Sequence, residues 1–158
     1  MAELTHFDNN GNAHMVDISE KQISFRIAKA ACSVHMSLET LKIISDGSAK
    51  KGDVLGVARI AGIQGAKRTS ELIPLCHPIS LTKVNLDLIL NEKLPGIEII
   101  ATAKTTGPTG VEMEALTAAG VSALTVYDMV KSLDKSLIIK NLRLILKDGG
   151  KSGRYESS

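Results

Sequence analysis

The feature that most constrains the fold is a strict alternation between Val84 and Leu90. Apolar side chains occupy every second position there, and polar side chains fill most of the positions between them, a pattern typical of a β-strand that buries one face. Pro95 and Gly96 then predict a turn, after which residues 97–103 alternate again. The sequence therefore predicts a β-hairpin of two antiparallel strands.

Other segments predict the remaining elements. Ser37 and Asp53 are suitable N-cap residues, each followed by residues at helical spacing. Residues 111–133 form a long run of good helix formers without a proline. In chain order the predicted elements are a strand over 25–36, a helix over 38–44 that Gly47 ends, a helix over 54–70, the two hairpin strands, a helix over 111–133 and a strand over 137–146.

This order of elements matches the split βαβ pattern of ferredoxin-like folds. We therefore expect an α+β fold with a single domain over residues 1–158, in which helices pack on one face of an antiparallel sheet. The second face of the sheet would stay uncovered, so self-association is expected. Residues 1–20 and 148–158 have the polar and glycine-rich composition of flexible termini, and the glycines from Gly149 onward are expected to end regular structure.

Composition argues against several function classes. Two cysteines, Cys32 and Cys76, are too few for a secreted disulfide framework or a structural zinc site, which indicates a reducing, cytoplasmic compartment. Residues 1–17 lack the apolar core of a secretory signal, and no apolar run reaches the roughly 20 residues of a membrane span. With no Trp, two Tyr and two Phe, the chain lacks the stacking surfaces of single-stranded nucleic-acid binders.

Cys76 and His77 lie between two prolines in residues 72–78, and proline restricts the backbone around them. A nucleophilic Cys–His pair is one interpretation, although adjacent side chains point apart and seldom form the required contact. A zinc site would need further ligands that are not in place. The other interpretations are a buried cysteine beside a hydrogen-bonded histidine, and contact of His77 with a phosphate or a purine edge.

Two carboxylates, Glu112 and Glu114, occupy the first turn of the predicted long helix. The helix dipole favours acidic side chains there, which is a sufficient structural explanation. A carboxylate can also accept two N–H donors from the guanidine-like edge of a guanine or pterin. The residues alone leave both interpretations open.

Asp128 and Lys131 lie three positions apart further along this helix, so their side chains share a face. They are either a solvated ion pair or a general acid/base couple, and spacing does not decide between the two. Asp128 is about 21 Å from Glu114 along a helix that rises about 1.5 Å per residue. A single nucleotide would hardly reach both, so a shared substrate would require a site between subunits.

Several lysines could bind an anionic ligand. The triplet at residues 150–152 is similar to part of a phosphate-binding P-loop, but the earlier glycine is missing and no helix can follow. A flexible tail that closes on a phosphate through Lys147 and Lys151 remains open. Lys51 and Lys67 flank the second predicted helix, and each is equally common as a solvated charge.

Together these segments resemble the molybdenum-cofactor biosynthesis protein C family, and the resemblance covers nearly the whole chain. The segments that carry it, in order, are residues 51–54, 61–67, 72–78, 109–117, 124–131 and 149–153. Several long motifs in one order are a specific signature. Two glycines depart from the expected pattern: Gly65 stands where an alanine is expected, and Gly120 lies inside the predicted long helix.

The resemblance implies an enzyme activity. This is the conversion of (8S)-3′,8-cyclo-7,8-dihydroguanosine 5′-triphosphate, a cyclised GTP, into cyclic pyranopterin monophosphate with release of pyrophosphate. It also implies a homohexamer, a trimer of dimers, with active sites at the dimer interface. The scheme requires no redox cofactor and no protein metal site, although a magnesium ion could accompany the triphosphate.

By the same resemblance, Asp128 is the catalytic acid/base and Lys131 is its partner. The residues implied to bind substrate are Lys51, Lys67, Leu75, Cys76, His77, Glu112, Met113, Glu114, Lys147 and Lys151. Opening the imidazole ring of the purine and building a pyrazine ring requires repeated proton transfers near neutral pH. Closing the cyclic phosphate places charge on phosphoryl oxygens, which lysines and His77 would stabilise.

Two other functions fit parts of the sequence. A non-catalytic carrier of a pterin or nucleotide would need the Glu114 carboxylate but no proton-transfer couple, so the presence of Asp128 with Lys131 favours an enzyme. A ferredoxin-like RNA-binding domain would need paired aromatic residues on its strands, and these strands have none.

Overall fold

The computed structural model describes residues 5–157, which fold into one sheet covered by helices. In chain order the elements are β1 (Ser24–His35), α1 (Leu38–Ser45), α2 (Val54–Lys67), α3 (Thr69–Leu72), β2 (Lys83–Asn91), β3 (Gly96–Gly107), α4 (Glu112–Val130), β4 (Ile138–Asp148) and β5 (Tyr155–Glu156). The predicted hairpin is confirmed as β2 and β3, and the predicted long helix as α4. In the described residues, no helix has the length and apolar character needed to cross a membrane.

The strands follow the order β2-β3-β1-β4-β5, and every neighbouring pair is antiparallel. Because β1 and β2 both pair antiparallel with β3, they run in the same direction on either side of it. This is the split βαβ arrangement, in which a helical connection joins two parallel strands around a third. The predicted α+β fold with an antiparallel sheet is therefore confirmed.

Helices α2 and α4 pack against each other and on one face of the sheet. The buried face of the strands combines small and large side chains. Ala28, Ala30, Ala101 and Ala103 are fully buried there, and so are Val34, Ile97 and Ile99. The four alanines let a helix approach this part of the sheet closely. The packing of helices on one face, as the sequence predicted, is confirmed.

Two glycines of α2 permit close contact with α4. A Cβ at Gly62 would lie 2.9 Å from the carbonyl oxygen of Ala118, and a Cβ at Gly65 would lie 2.9 Å from Cγ2 of Val121. Both distances are shorter than the optimum of about 3.5 to 4.0 Å between packed atoms. Gly65, which stands where the resemblance predicts alanine, therefore allows α2 to lie directly against α4.

The predicted N-caps are confirmed. Ser37 Oγ accepts a hydrogen bond from the backbone N–H of Thr40 at 3.1 Å, and Asp53 Oδ1 accepts one from Gly56 at 2.9 Å. The helix that Asp53 begins is shorter than predicted, because Arg68 leaves helical geometry with φ −106° and ψ 10°. The short helix α3 begins directly after Arg68.

Helix α4 ends at Val130, three residues before the predicted end, because the chain turns towards β4. Asp134 fixes this turn. Its carboxylate accepts hydrogen bonds from the hydroxyl and the backbone N–H of Ser136 at 2.6 and 2.7 Å, and from the backbone N–H of Ser37 at 2.8 Å. These donors hold the pKa of Asp134 well below its ordinary value. The carboxylate thereby ties the end of α4 to the connection between β1 and α1.

Regular structure continues beyond Gly149, so the prediction that the glycines end it is wrong. Gly149 and Gly150 have φ values of +97° and +78°, which favour glycine and reverse the chain. The segment Tyr155–Glu156 then pairs with Leu146 and Lys147 as β5. The flexibility of residues 1–20 and 148–158 stays a prediction.

Residues 5–22 precede β1, and we call them the N-terminal arm. Phe7 and Ala13 form an isolated antiparallel bridge across a turn. Asp8 Oδ1 accepts hydrogen bonds from the backbone N–H groups of Asn10 and Asn12 at 2.9 and 2.8 Å, which closes the turn. The arm therefore has a defined local structure although it contributes no strand to the sheet.

Candidate active site

Most of the predicted site residues form two groups at opposite ends of α4. Asp128 and Lys131 lie at its C-terminal end, where Lys51 joins them, and we call these three residues the lysine–aspartate cluster. Residues 112–114 lie at the N-terminal end and line a cavity together with residues 75–77. We call this second group the small cavity.

In the lysine–aspartate cluster, two ammonium groups bind one carboxylate. Lys131 Nζ lies 2.7 Å from Oδ1 of Asp128, and Lys51 Nζ lies 2.9 Å from Oδ2 and 3.0 Å from the backbone oxygen of the same residue. Lys131 is brought there by helical spacing, whereas Lys51 comes from the turn before α2, where Gly52 has φ +92°. The side chains are about half exposed, so the cluster is accessible to a ligand or to another copy of the chain.

The two ammonium groups keep Asp128 ionised. The hydrogen bond and charge of Lys131, followed by those of Lys51, lower the pKa of Asp128 to about 2, and the carboxylate in turn raises the pKa of Lys131. A carboxylate with so low a pKa is a weak base near neutral pH. Asp128 can therefore accept a proton efficiently only when a ligand draws one of the ammonium groups away.

The small cavity has a volume of about 170 Å³ and opens beside the first turn of α4. The structure brings together in it all the site residues that the sequence placed in segments 75–77 and 112–114. The lining residues are His6, Leu75, Cys76, His77, Ile79, Thr109, Gly110, Glu112, Met113 and Glu114.

Glu114 is the buried carboxyl group of the small cavity, with only 4% of its surface exposed. Burial raises its pKa to about 7; the residue's own backbone N–H opposes this shift, and the charge of Glu112 adds to it. A carboxyl group with this pKa exchanges a proton near neutral pH. Glu114 can therefore accept an N–H donor when ionised and donate a hydrogen bond when protonated.

Cys76 and His77 form no nucleophilic pair in this structure. His77 Nε2 donates a hydrogen bond to the carbonyl oxygen of Val16 at 2.6 Å, because a carbonyl can only accept. Burial, followed by the charge of Glu114, raises the pKa of the Cys76 thiol, so it stays protonated at neutral pH. The geometry favours a partly buried cysteine beside a hydrogen-bonded histidine, both in contact with the cavity.

A larger cavity of about 850 Å³ adjoins the small one, and the two share Thr109, Gly110 and Glu112. Lys147 lies at the junction, with Nζ 3.1 Å from Oε1 of Glu112. The charged residues that line the larger cavity are Asp17, Glu20, Lys21, Arg26, Glu112 and Lys151. The predicted tail lysine Lys151 therefore shares this cavity with two other cations and three carboxylates, and a ligand of nucleotide size could extend from one cavity into the other.

The sequence did not predict Arg26, which lines the larger cavity. Its Nε and Nη2 donate hydrogen bonds to the carbonyl oxygens of Gly107 and Pro108 at 2.9 and 3.1 Å. These bonds hold the guanidinium against the loop between β3 and α4. In the sequence, Arg26 is simply a charged residue near the start of a predicted strand. Charged residues are common at such positions, so this one did not stand out.

A single copy of the chain does not assemble all the predicted site residues. Asp128 and Lys131 line neither cavity, and the helix places Asp128 about 21 Å from Glu114. Lys67 lies exposed in the last turn of α2 and, within residues 5–157, also lines neither cavity. The residues at the two ends of α4 could meet around one ligand only if different copies supplied them.

Comparison with known proteins relates the chain to one family over most of its length. The model of the MoaC family matches residues 15–150. The chain belongs to the MoaC family. Three similar relatives bear the name cyclic pyranopterin monophosphate synthase. The relative from Jannaschia sp. is 60% identical over 157 residues, which cover 99% of this chain and 96% of the relative. The relative from Cereibacter sphaeroides is 60% identical over 158 residues, which cover 100% of this chain and 99% of the relative. The relative from Methylobacterium nodulans is 57% identical over 157 residues, which cover 99% of this chain and 98% of the relative.

The MoaC match confirms the resemblance predicted from the sequence motifs. Its range includes the whole lysine–aspartate cluster and every lining residue of the small cavity except His6. Lys151 follows directly after the matched range. The two groups at the ends of α4 are therefore both part of the MoaC domain.

Proposed function

We propose that this MoaC-family protein converts (8S)-3′,8-cyclo-7,8-dihydroguanosine 5′-triphosphate into cyclic pyranopterin monophosphate and releases pyrophosphate, a lyase step of molybdenum-cofactor biosynthesis. The observation that carries the proposal is 57 to 60% identity, over nearly the full length of both chains, with proteins named cyclic pyranopterin monophosphate synthase. The two adjoining cavities support it. A nucleoside triphosphate needs hydrogen-bond acceptors for its base and cations for its phosphates, and these lie on either side of Glu112.

The small cavity suits the guanine-derived ring of the substrate. Glu112 and Glu114 offer carboxylate oxygens to ring and exocyclic N–H groups. Because the pKa of Glu114 is raised to about 7, this residue can also exchange a proton with the ring as the imidazole opens and the pyrazine forms. His77 and Cys76 complete the polar lining, and Leu75 and Met113 supply apolar contact.

The larger cavity suits the triphosphate. Arg26 and Lys151 line it, and Lys147 reaches its edge through Glu112. The hydroxyl of Ser24 is buried there without a hydrogen-bond partner among the described residues, so a phosphate oxygen could accept its proton. A substrate hydroxyl attacks the α-phosphorus, the bond to the bridging oxygen breaks and pyrophosphate leaves. The cations stabilise the charge that develops on the phosphoryl oxygens.

In our proposal the lysine–aspartate cluster reaches the substrate from a second copy of the chain. The helix places it about 21 Å from Glu114, and its half-exposed side chains are free to meet a neighbouring copy. A dimer with two such shared sites would be the unit of a homohexamer, a trimer of dimers. Lys67 lies at the opposite end of α2 from Lys51, and its contact with the substrate stays a prediction.

The cluster would then act as the proton-transfer group of the site. In the free protein, Lys51 and Lys131 hold the carboxylate of Asp128 at a pKa of about 2. When substrate phosphates attract one ammonium group, Asp128 loses a stabilising partner and becomes a stronger base. Asp128 can then accept a proton from the substrate, and Lys131 can donate one.

The proposed reaction requires no redox cofactor and no resident metal. In the described part of the chain, no three His, Cys, Asp or Glu side chains are placed to hold a metal ion together. In this scheme, magnesium enters with the triphosphate as part of the substrate. We further propose a cytoplasmic protein that acts on this small molecule and binds neither nucleic acid nor membrane.

Release of pyrophosphate from the cyclised GTP by the purified protein tests the proposal. The expected result is stoichiometric formation of pyrophosphate and cyclic pyranopterin monophosphate in the absence of any other protein. A carrier protein would bind the same compound and return it unchanged. Binding without release of pyrophosphate, with or without added magnesium, would refute the proposed activity.

A further inference from the structure

The N-terminal arm lies along both cavities. His6 lines the small cavity with Cys76 and His77, while Asp17 and Lys21 of the same arm line the larger one. The arm thus contributes walls to a site whose other residues come from the loops around α4. The chemistry proposed above uses none of these arm residues.

A direct hydrogen bond fixes the arm to the site. The carbonyl oxygen of Val16 accepts the Nε2 proton of His77 at 2.6 Å. This assigns the proton of neutral His77 to Nε2 and leaves Nδ1 as the acceptor. The position of Val16 in the arm and the orientation of His77 are therefore coupled.

The arm holds its shape through polar contacts close to the site. The Asp8 carboxylate closes its turn, and the backbone N–H of His14 donates to the carbonyl oxygen of His6 at 2.9 Å. Burial of apolar surface contributes little, since Phe7 and Met15 remain 53% and 49% exposed. The order of the arm therefore results from its turn and from its anchor on His77.

The ring of His6 lines the small cavity. Unlike the ring of His77, it has no hydrogen-bond partner among the residues that the structure describes. The cavity that His6 lines contains two carboxyl groups, Glu112 and Glu114, which could accept the N–H donors of a guanine-derived ring. Such a ring also carries a carbonyl oxygen, which needs a donor that an ionised carboxylate cannot provide.

We propose that His6 is a further substrate-contacting residue, and that its imidazole N–H donates a hydrogen bond to the carbonyl oxygen of the guanine-derived ring. This inference rests on the proposed function, because it takes the cyclised GTP as the ligand. His6 would help to select a ring with a carbonyl oxygen over one with an amino group at that position. The arm then serves to carry this donor to the cavity.

Kinetics of His6→Ala test the inference against a matched control. Loss of one neutral hydrogen bond in the bound ground state is expected to raise KM about 3- to 10-fold while kcat changes less than about 2-fold. The control is His14→Ala. His14 lies on the opposite side of the same turn and lines neither cavity, so this substitution should leave KM unchanged. His6→Gln or His6→Asn, which keep an N–H donor, should restore part of the affinity.

A second measurement separates failure of this inference from failure of the proposed function. Binding of GTP and of ATP by titration calorimetry uses probes that differ in the ring carbonyl and needs no turnover. His6→Ala should raise the Kd of GTP about 3- to 10-fold, the factor expected for KM, because GTP has the ring carbonyl. The Kd of ATP, which has an amino group there, should stay unchanged. Equal GTP affinities in His6→Ala and the wild type would overturn the assignment whether or not pyrophosphate is released, and so would equal KM values for the cyclised GTP if the protein turns it over.

Discussion

Glu114 and Asp128 lie at opposite ends of one helix, α4, about 21 Å apart along its axis. Glu114 is buried in the small cavity, whereas Asp128 is exposed and held by two lysines. A substrate of nucleotide size would not reach both within one chain. In the proposed dimer, each site takes Glu114 from one copy and Asp128 from the other.

Mixing the variants Glu114→Ala and Asp128→Ala is expected to restore activity that neither variant has alone. In a mixed dimer, one site carries both substitutions and the other carries neither. Random reassociation of equal amounts should therefore recover about a quarter of the wild-type activity per chain. Release of pyrophosphate after mild dissociation and reassociation measures the recovery.

The matched control mixes Asp128→Ala with Lys131→Ala. Both residues belong to the same cluster, so every site of a mixed dimer receives one damaged cluster and no activity should return. Recovery in this control, or its absence in the Glu114 mixture despite reassociation, would contradict a site shared between copies.

Replacing Lys131 by methionine is expected to lower kcat by about 10²-fold or more, because the site loses a proton donor beside Asp128. The pKa of Asp128 should rise from about 2 towards its ordinary value of 3.8, so the carboxylate stays ionised at neutral pH. Loss of turnover would then reflect the missing ammonium group. Initial rates of pyrophosphate release, with light scattering to follow assembly, measure the effect.

The exposed lysine that follows the turn after α4, Lys135, provides a comparison. It forms no ion pair within the described residues, so Lys135→Met should keep wild-type kcat. An active Lys131→Met protein would rule out the proposed role of the cluster. If Lys131→Met fails to assemble, the same rates are measured on Lys131→Arg, which keeps the charge but is a far weaker proton donor.

Elements with a strong local signal could be predicted from the sequence. The alternation from Val84 to Leu90 identified β2 because a half-buried strand has a period of two. Ser37 and Asp53 identified helix starts because an N-cap depends only on residues two or three positions ahead. The same holds for the pairing of Asp128 with Lys131, which helical spacing alone brings together.

Features that depend on distant parts of the chain could not be predicted. Lys51 joins Asp128 from a turn 77 positions away, and Arg26 reaches the larger cavity through carbonyl oxygens 81 and 82 positions away. The glycines near residue 150 have the composition of a flexible tail, yet their positive φ values form a reversal that β4 stabilises by pairing with β5. In each case the decisive contact has no local pattern.

Two helix glycines are expected to respond oppositely to alanine. A Cβ at Gly62 would lie 2.9 Å from the backbone oxygen of Ala118, which cannot move without shifting α4, so Gly62→Ala should lower the free energy of unfolding by about 1 to 3 kcal/mol. A Cβ at Gly120 would lie 3.5 Å from Cδ2 of Leu142, an ordinary contact. Gly120→Ala should therefore raise the free energy of unfolding by up to about 1 kcal/mol.

Urea unfolding followed by circular dichroism at one protein concentration compares the two variants with the wild type. The concentration must be fixed because subunit association contributes to the apparent stability. A Gly62→Ala protein as stable as the wild type would show that α2 and α4 are not as close as described.

The stability of the protein is expected to fall as the pH rises towards 7, through Glu114. Its pKa is raised from 4.5 to about 7 in the folded state, so between these values the folded state binds more protons than the unfolded state. The stabilising contribution is complete below pH 4.5 and is lost as the pH rises through about 7. The loss is on the order of 3 kcal/mol. Unfolding midpoints in urea at pH 5 and pH 8 measure it.

Glu114→Gln removes the titration and should therefore have an unfolding midpoint at pH 8 above that of the wild type, even though catalysis suffers. Glu112→Gln is the comparison, since burial raises the pKa of Glu114 more than the charge of Glu112 does. It should retain most of the wild-type difference between pH 5 and pH 8. If the unfolding midpoint of Glu114→Gln changes with pH as that of the wild type does, the carboxyl group of Glu114 is not the group that titrates. Glu114 could then not exchange the proton as proposed for the small cavity.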